Sequence, residues 1–395
     1  MIYLDHAATT AVAPQVLEEM LPYFCEQYGN ASTMYSLGTR SKKAVNDGKR
    51  ALAGMLHADM EEIYFTSGGT ESDNWAIRGV AEGYAHKGRH IITTQIEHHG
   101  VLHPCQYLEK QGYRVTYLKV DAKGFVSLEE LEAAICPDTI LISVMFANNE
   151  VGVLQPIEEI GRLARERGIL FHTDAVQAFG HLDINVRELG IDLLSASGHK
   201  INGPKGIGFL YVSKNVKLPP LLHGGAQERG LRAGTENVPG IVGLVKAAQL
   251  WQKEQMVRIE RERELQAYLL QRLQAEIPHC IVNGDLEQRL PGNVHVSFPG
   301  IEGESLLIML DMKGICASSG SACTTGARKP SHVLMAMGLS EQEARGSLRL
   351  TLSWENTREE LEETVQAIKE IVARLRTMSP DYSCYVKSLE KGVRD

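Results

Sequence analysis

The chain has no apolar run approaching the roughly 18 residues that would suggest a membrane span. Its start, Met1-Ile2-Tyr3-Leu4-Asp5-His6, lacks both the basic stretch and the apolar core of a secretion signal. No block of basic residues stands out and the net charge is −8, so there is no electrostatic footprint for nucleic acid. No CxxC pair suggests zinc, and no metal site is expected. The seven cysteines (Cys25, Cys105, Cys136, Cys280, Cys316, Cys323 and Cys384) are an odd number without framework spacing, which argues against a disulfide scaffold. Internal repeats and low-complexity segments are absent as well. These absences point to a cytoplasmic globular protein with no membrane and no direct nucleic-acid partner.

What is present suits a large α/β protein. With 395 residues, 43% apolar and 23% charged, the chain can build one large domain and a smaller one. Strand-like runs at Ile63–Thr66, His90–Thr94, Arg114–Leu118, Thr139–Met145, Ile169–Thr173, Asp192–Ala196 and Gly208–Val212 are mostly separated by helical patterns such as Ser72–Ala85 and Ile157–Arg167. That alternation predicts a mostly parallel, seven-stranded sheet covered on both faces. A long charged amphipathic stretch follows Gly240 and runs to about Glu276. Beyond it, Asn293–Phe298 alternates like a half-buried strand, Glu304–Met312 has a helical pattern and Leu348–Leu352 reads as a strand. A last clear helix starts at Thr357, with Glu360 completing a capping box. The division expected is residues 14–255 as the large domain, with 1–13 and 256–395 forming a smaller α/β domain.

Polar residues fall where ligands of open α/β sheets bind, beyond the carboxyl ends of the strands. Ile63–Thr66 runs into Ser67-Gly68-Gly69-Thr70-Glu71, a turn whose amides and Thr70 hydroxyl suit a phosphate. It equally suits an ordinary helix cap. His98 follows the second run and can stack on a flat ring or move a proton. Asn149 follows the fourth and can bond a ring hydroxyl or a carboxylate, or simply its own turn. Asp174, with Gln177 after it, ends the fifth. A carboxylate there needs a partner, and a protonated pyridine nitrogen is one. Ser197-Gly-His-Lys200 ends the sixth, and either Lys200 or Lys205 can supply a Schiff-base amine, with Ser197 and His199 near a phosphate. Each feature is weak alone. Together they supply what pyridoxal 5′-phosphate (PLP) requires.

The chain also resembles a known family. Tyr3-Leu-Asp-His-Ala-Ala-Thr-Thr10, Thr66-Ser-Gly-Gly-Thr-Glu-Ser-Asp-Asn74, Asn148-Asn-Glu-Val-Gly152, His172-Thr-Asp-Ala-Val-Gln177, Ser197-Gly-His-Lys-Ile-Asn-Gly-Pro-Lys-Gly206, Arg229-Gly-Leu-Arg-Ala-Gly-Thr235 and Ser319-Gly-Ser-Ala-Cys323 resemble the cysteine desulfurases of the NifS/IscS type. These are PLP enzymes of aminotransferase fold type I. The resemblance implies that Lys200 carries the cofactor and that Gly69, Thr70, Ser197 and His199 bind its phosphate. It implies that Asp174 meets the pyridine nitrogen, Gln177 the ring oxygen and His98 the ring face. Asn149 would lie beside ring and substrate, and Arg349 would hold the substrate carboxylate. Thr235 would reach the neighbouring subunit's phosphate, which implies a homodimer with shared active sites. Cys323 matches the sulfur-accepting cysteine. Its neighbours, Ser318-Ser-Gly-Ser-Ala-Cys-Thr-Thr-Gly-Ala327, read as a mobile loop rather than a core element. An extended loop of this kind is similar to that of members that deliver sulfur directly to acceptor proteins, such as a cluster scaffold or a tRNA-thiolation enzyme.

Two segments depart from the family pattern, Ala31-Ser-Thr-Met-Tyr35 and Ser353-Trp354. The expected reaction converts L-cysteine to L-alanine and leaves the sulfur as a persulfide on Cys323, with Lys200 and His98 moving protons. Competing expectations are selenocysteine lyase, another class V PLP reaction on the same frame, and a PLP-binding protein without turnover.

Overall fold

The computed structural model describes residues 1–319 and 330–390. A two-residue strand, β1 (Ile2–Tyr3), opens the chain. The large sheet follows: β2 (Ile63–Thr66), β3 (His90–Thr94), β4 (Arg114–Leu118), β5 (Thr139–Ser143), β6 (Leu170–Asp174), β7 (Leu193–Ser197) and β8 (Gly208–Val212). Their order is β2-β8-β7-β6-β5-β3-β4, and every neighbouring pair is parallel except those made by β8.

Successive residues of the inner strands enter opposite cores. Ile92, Ile142, Phe171, Leu194 and Phe209 pack into one apolar cluster. Ile91, Leu141, Leu193 and Leu210 pack into another. The period-2 projection of side chains, with helices covering both faces, accounts for strands that read as continuous apolar runs. Phe209 is fully buried and meets Phe179 edge-on at 5.0 Å between ring centroids. Phe209→Ala is therefore expected to lower the apparent unfolding free energy by about 3–5 kcal/mol, read from a denaturant titration. A drop below about 1 kcal/mol would mean that this part of the core collapses to fill the space.

A 39-residue helix, Val238–Glu276, leaves this sheet, and its second half packs into a separate cluster through Leu265, Leu269 and Leu273. That cluster is built on β9 (Ile281–Val282), β10 (Asn293–Ser297), the helix Gly303–Asp311, β11 (Ile315–Cys316), β12 (Ser347–Thr351) and the helix Arg358–Thr377. The sheet order is β12-β10-β9, antiparallel throughout. All five residues of β10 are buried, where alternation suggested a half-buried strand, because its polar positions point into the protein rather than to solvent. His295 there bonds Asn283, and Asn283 also bonds Ser297. The capping box at Thr357 is formed: the Glu360 amide donates to the Thr357 hydroxyl at 3.2 Å, and the Thr357 amide to the Glu360 carboxylate at 3.1 Å.

The N-terminal arm belongs to this smaller core. β1 pairs parallel with β11, and Leu4 is fully buried in the cluster. Beyond Met378 a further helix, Pro380–Glu390, follows where the sequence showed no clear pattern. Among the described residues, no helix is long and apolar enough to cross a membrane.

Candidate active site

The carboxyl edge of the large sheet gathers the polar residues. Gly68 precedes the helix Gly69–Gly83 with φ of +148°, a conformation side chains rarely adopt. A Cβ on Gly208 would come within 2.8 Å of the Gly68 backbone, and one on Gly69 within 2.5 Å of a Val176 methyl. Glycines thus let the turn settle onto the ends of β6 and β8. Its amides and Thr70 open the helix there, near the Ser197 hydroxyl.

Asp174 ends β6 and is buried. One of its oxygens accepts the Val176 N–H at 2.9 Å. Burial pushes its carboxyl up to about 6, against the pull of the Val176 N–H and the Lys200 charge. Carboxylate oxygens of Asp174 and Asp73 and a ring nitrogen of His98 all lie within 4.8 Å of one another. His98 caps the helix His99–Glu109, accepting the Gly100 N–H on Nδ1 at 3.0 Å. Nδ1 must therefore be unprotonated, and the neutral ring carries its proton on Nε2. Burial, then the charges of Lys200, His332 and His103, hold the His98 pKa below the ordinary histidine value.

Lys200 is half-buried, and its ammonium donates to the backbone carbonyls of Ala7 and of Ala8, the latter at 2.8 Å. Gln177 donates to the same Ala7 carbonyl at 3.0 Å. His199 bonds the Thr9 hydroxyl through Nδ1 at 3.1 Å, and burial, then Lys200 and Lys205, push its pKa down to about 4. Lys205 is exposed, with its ammonium 3.3 Å from the Thr10 carbonyl. Arg349, buried on β12, forms an ion pair with Asp5 at 2.8 Å and donates to the Asn149 carbonyl at 3.0 Å. Its Nε has no partner among the described residues.

Thr70 and His98 line a hollow of ≈ 690 Å³ together with Asn74, Arg78, His103 and Tyr107. Gln177 and Lys200 line a second, smaller one of ≈ 40 Å³ beside His6, Ala7, Trp251 and Trp354. Thr235 is exposed and lines neither hollow. Cys323 lies outside the described residues. The departure at Trp354 has a structural use, since the Arg258 guanidinium lies 3.6 Å from the ring centroid and Trp251 meets it edge-on at 5.3 Å. Met34 and Tyr35 are exposed.

The residues at this edge fit a phosphorylated pyridine. A pyridinium would give buried Asp174 the cation it needs, and the glycine turn with Ser197 offers donors to a phosphate. Several contacts had no counterpart in the reading of the sequence: Asp5, the Ala7 and Ala8 carbonyls, and the buried acids Asp73, Glu97 and Glu150. Asp73 was findable. It falls among Ser72, Trp75, Ala76 and Ile77 on a helix whose other buried residues are mostly apolar.

The aminotransferase class-V family pattern matches residues 2–364. Cysteine desulfurase IscS of Clostridium botulinum is 52% identical over 392 residues, covering 99% of both chains. Cysteine desulfurase IscS of Methanosarcina thermophila is 55% identical over 379 residues, covering 96% of this chain and 94% of its own. Among solved structures, a NifS-like protein superposes with a TM-score of 0.89 at 40% identity, covering 95% of this chain and all of the other. SspA, solved in complex with cysteine, gives 0.80 at 39% identity over 90% of this chain and all of its own. With a family match across most of its length and full-length relatives sharing half its residues, the chain belongs to the class-V aminotransferases and, within them, to the cysteine desulfurases.

Proposed function

We propose that this cysteine desulfurase works with PLP on Lys200 and passes the sulfur of L-cysteine to Cys323, and from there to an acceptor protein in iron–sulfur cluster or thiolated-tRNA synthesis. The observation that carries the cofactor reading is buried Asp174 beside His98 at the strand edge where Lys200 and the glycine turn also lie. The reading takes residues 14–255 as the cofactor-binding domain, with 1–13 and 256–395 as the smaller one. It takes Thr235 as a contribution from the second copy in a homodimer.

Gly69, Thr70, Ser197 and His199 hold the phosphate in this reading. Asp174 would meet the pyridine nitrogen, Gln177 the ring oxygen, Asn149 the ring and substrate, and His98 the ring face. When bound, PLP would supply an electron sink for the bonds at the substrate's α-carbon, which no protein side chain does unaided. Lys200 would take the substrate's α-proton on its amine. The Cys323 thiolate attacks the substrate sulfur, so an S–S bond forms as the C–S bond breaks. The electron pair of the broken bond stays with the three-carbon fragment, which gains protons and leaves as alanine. His98, neutral with its proton on Nε2, is suited to move a proton to or from the reacting groups.

Arg349 receives the substrate carboxylate on its planar guanidinium. Arg349→Ala is expected to lower kcat/KM for cysteine roughly tenfold to hundredfold, mostly through KM, as the loss of a charge-assisted hydrogen bond of about 1.5–3 kcal/mol implies. Bound PLP, followed by its absorbance, should stay stoichiometric. An unchanged kcat/KM would remove Arg349 from the substrate site and leave it as the partner of Asp5. The proposal as a whole is tested by alanine release from cysteine by the PLP-loaded protein, with the sulfur found on the enzyme by mass spectrometry.

A further inference from the structure

Three buried carboxyl groups underlie this site, Asp73, Glu97 and Asp174, and the proposed chemistry uses only Asp174. We propose that Asp73 is a positioning residue for the floor of the cofactor site: it is held as the neutral acid, so that Asp174 alone carries negative charge there. The inference rests on the PLP reading for its consequence, but the state of Asp73 itself can be read without cofactor.

Geometry carries it. Asp73 is 1% exposed, and oxygens of Asp73 and Asp174 lie within 4.8 Å of each other. Two carboxylates so close and so dry cannot both ionise cheaply, and one proton serves the pair. The surroundings decide which member keeps it. Asp174 accepts the Val176 N–H and feels the Lys200 charge, and both favour its anion. Asp73 has less help. Its Oδ1 has no hydrogen-bond partner among the described residues, and an ionised oxygen left so would carry a full desolvation cost.

The groups facing Asp73 from neighbouring elements offer little compensation. From β6, His172 Nε2 stands 3.7 Å from that oxygen, but burial pushes its pKa down to about 3 and leaves it neutral. Both nitrogens of His172 are occupied, by Ser143 at 2.8 Å and Ser195 at 3.0 Å. From β7, the Ser195 hydroxyl favours the Asp73 anion only in part. From the segment after β3, His98 is also neutral at physiological pH, and Glu97, whose carboxyl burial pushes up to about 8, brings no positive charge either. Burial first, then the Asp174 charge, pushes the Asp73 carboxyl well above the usual carboxylate range. Gly100 makes room for this contact, since a Cβ there would sit 2.8 Å from Asp73 Oδ2.

The consequence is specific. Asn reproduces the shape and neutrality of protonated Asp, so Asp73→Asn should hold PLP within about threefold of wild-type affinity at neutral pH. The state of Asp73 is read directly by carbon-13 NMR of protein labelled at the aspartate carboxyl carbons, apo and PLP-loaded, from about pH 5 to about pH 9. The signal is assigned by its loss in Asp73→Asn or, should that variant not fold, in Asp73→Ser. It is expected to stay at the position of a carboxylic acid through pH 7, where ordinary aspartates, with pKa values near ~3.9, are fully ionised. An Asp73 signal at the carboxylate position at pH 7 in the apo protein overturns the inference, whatever the cofactor does. A loss of PLP affinity beyond about tenfold in Asp73→Asn overturns it too, because it would mean that the site needs the second charge. A wild-type protein that binds no PLP would refute the cofactor reading instead, and the apo spectrum would still decide the state of Asp73.

Discussion

Cys323→Ser is expected to bind PLP and L-cysteine as the wild type does, and to form alanine at least about a thousandfold more slowly, the scale of removing a nucleophile. Serine keeps the size of the side chain but not a nucleophile that ionises near neutral pH. On the proposed mechanism the steps before sulfur transfer depend on Lys200 and Arg349, which the change leaves intact. Wild type treated with cysteine should gain the mass of one sulfur atom on the peptide containing Cys323. The other thiols separate into groups. Burial pushes Cys105 and Cys280 up to about 12, so neither supplies thiolate at neutral pH. Cys136 is tied to His90 and Asp138, while Cys316 is part of β11 beside Tyr3. Cys25 and Cys384 are both exposed. Intact and peptide mass spectrometry, run beside an alanine assay, decides the matter. Full alanine production by Cys323→Ser would refute the persulfide route and favour a lyase that needs no enzyme thiol.

Lys200→Ala should lose the covalent bond to PLP and at least about a thousandfold in kcat/KM, since on the proposed mechanism one side chain both anchors the cofactor and moves the α-proton. Borohydride, which fixes a C=N link, should then mark the wild-type peptide containing Lys200. The structure separates this lysine from its sequence rival. Lys200 is half-buried where its charge reaches Asp174, His98 and His199, whereas Lys205 is exposed on the Thr10 carbonyl. A borohydride label on Lys205 would reverse the assignment.

Much of the fold was legible, and the reasons are physical. Four of the seven large-sheet strands begin and end where the runs do: β2, β3 and β8 are buried along their whole length, as strands covered on both faces are, while β4 lies at the sheet edge with Arg114 exposed. β6 and β7 run one residue further, to Asp174 and Ser197, since the ladder does not stop where side chains turn polar. The reversed direction of β8 was written in the shortness of the segment after Lys200, which is too brief for a parallel crossover. At the site, residues with distinctive side chains could be collected from the strand ends. The grip on Lys200 could not, because the Ala7 and Ala8 carbonyls are backbone acceptors, and no residue type announces them. The ion pair of Asp5 with Arg349 spans almost the whole chain, a separation that periodicity cannot bridge.

That first stretch of chain does unusual duty for its size. In fewer than ten residues it supplies an ion-pair partner for Arg349, carbonyls for Lys200 and Gln177, a hydroxyl for His199 and a strand against β11. Trimming it would therefore unfasten the site at four points while leaving the seven-stranded sheet whole. Proteolysis that removed this stretch would silence the site long before it dismantled the fold. For the same reason an affinity tag is better placed away from these residues.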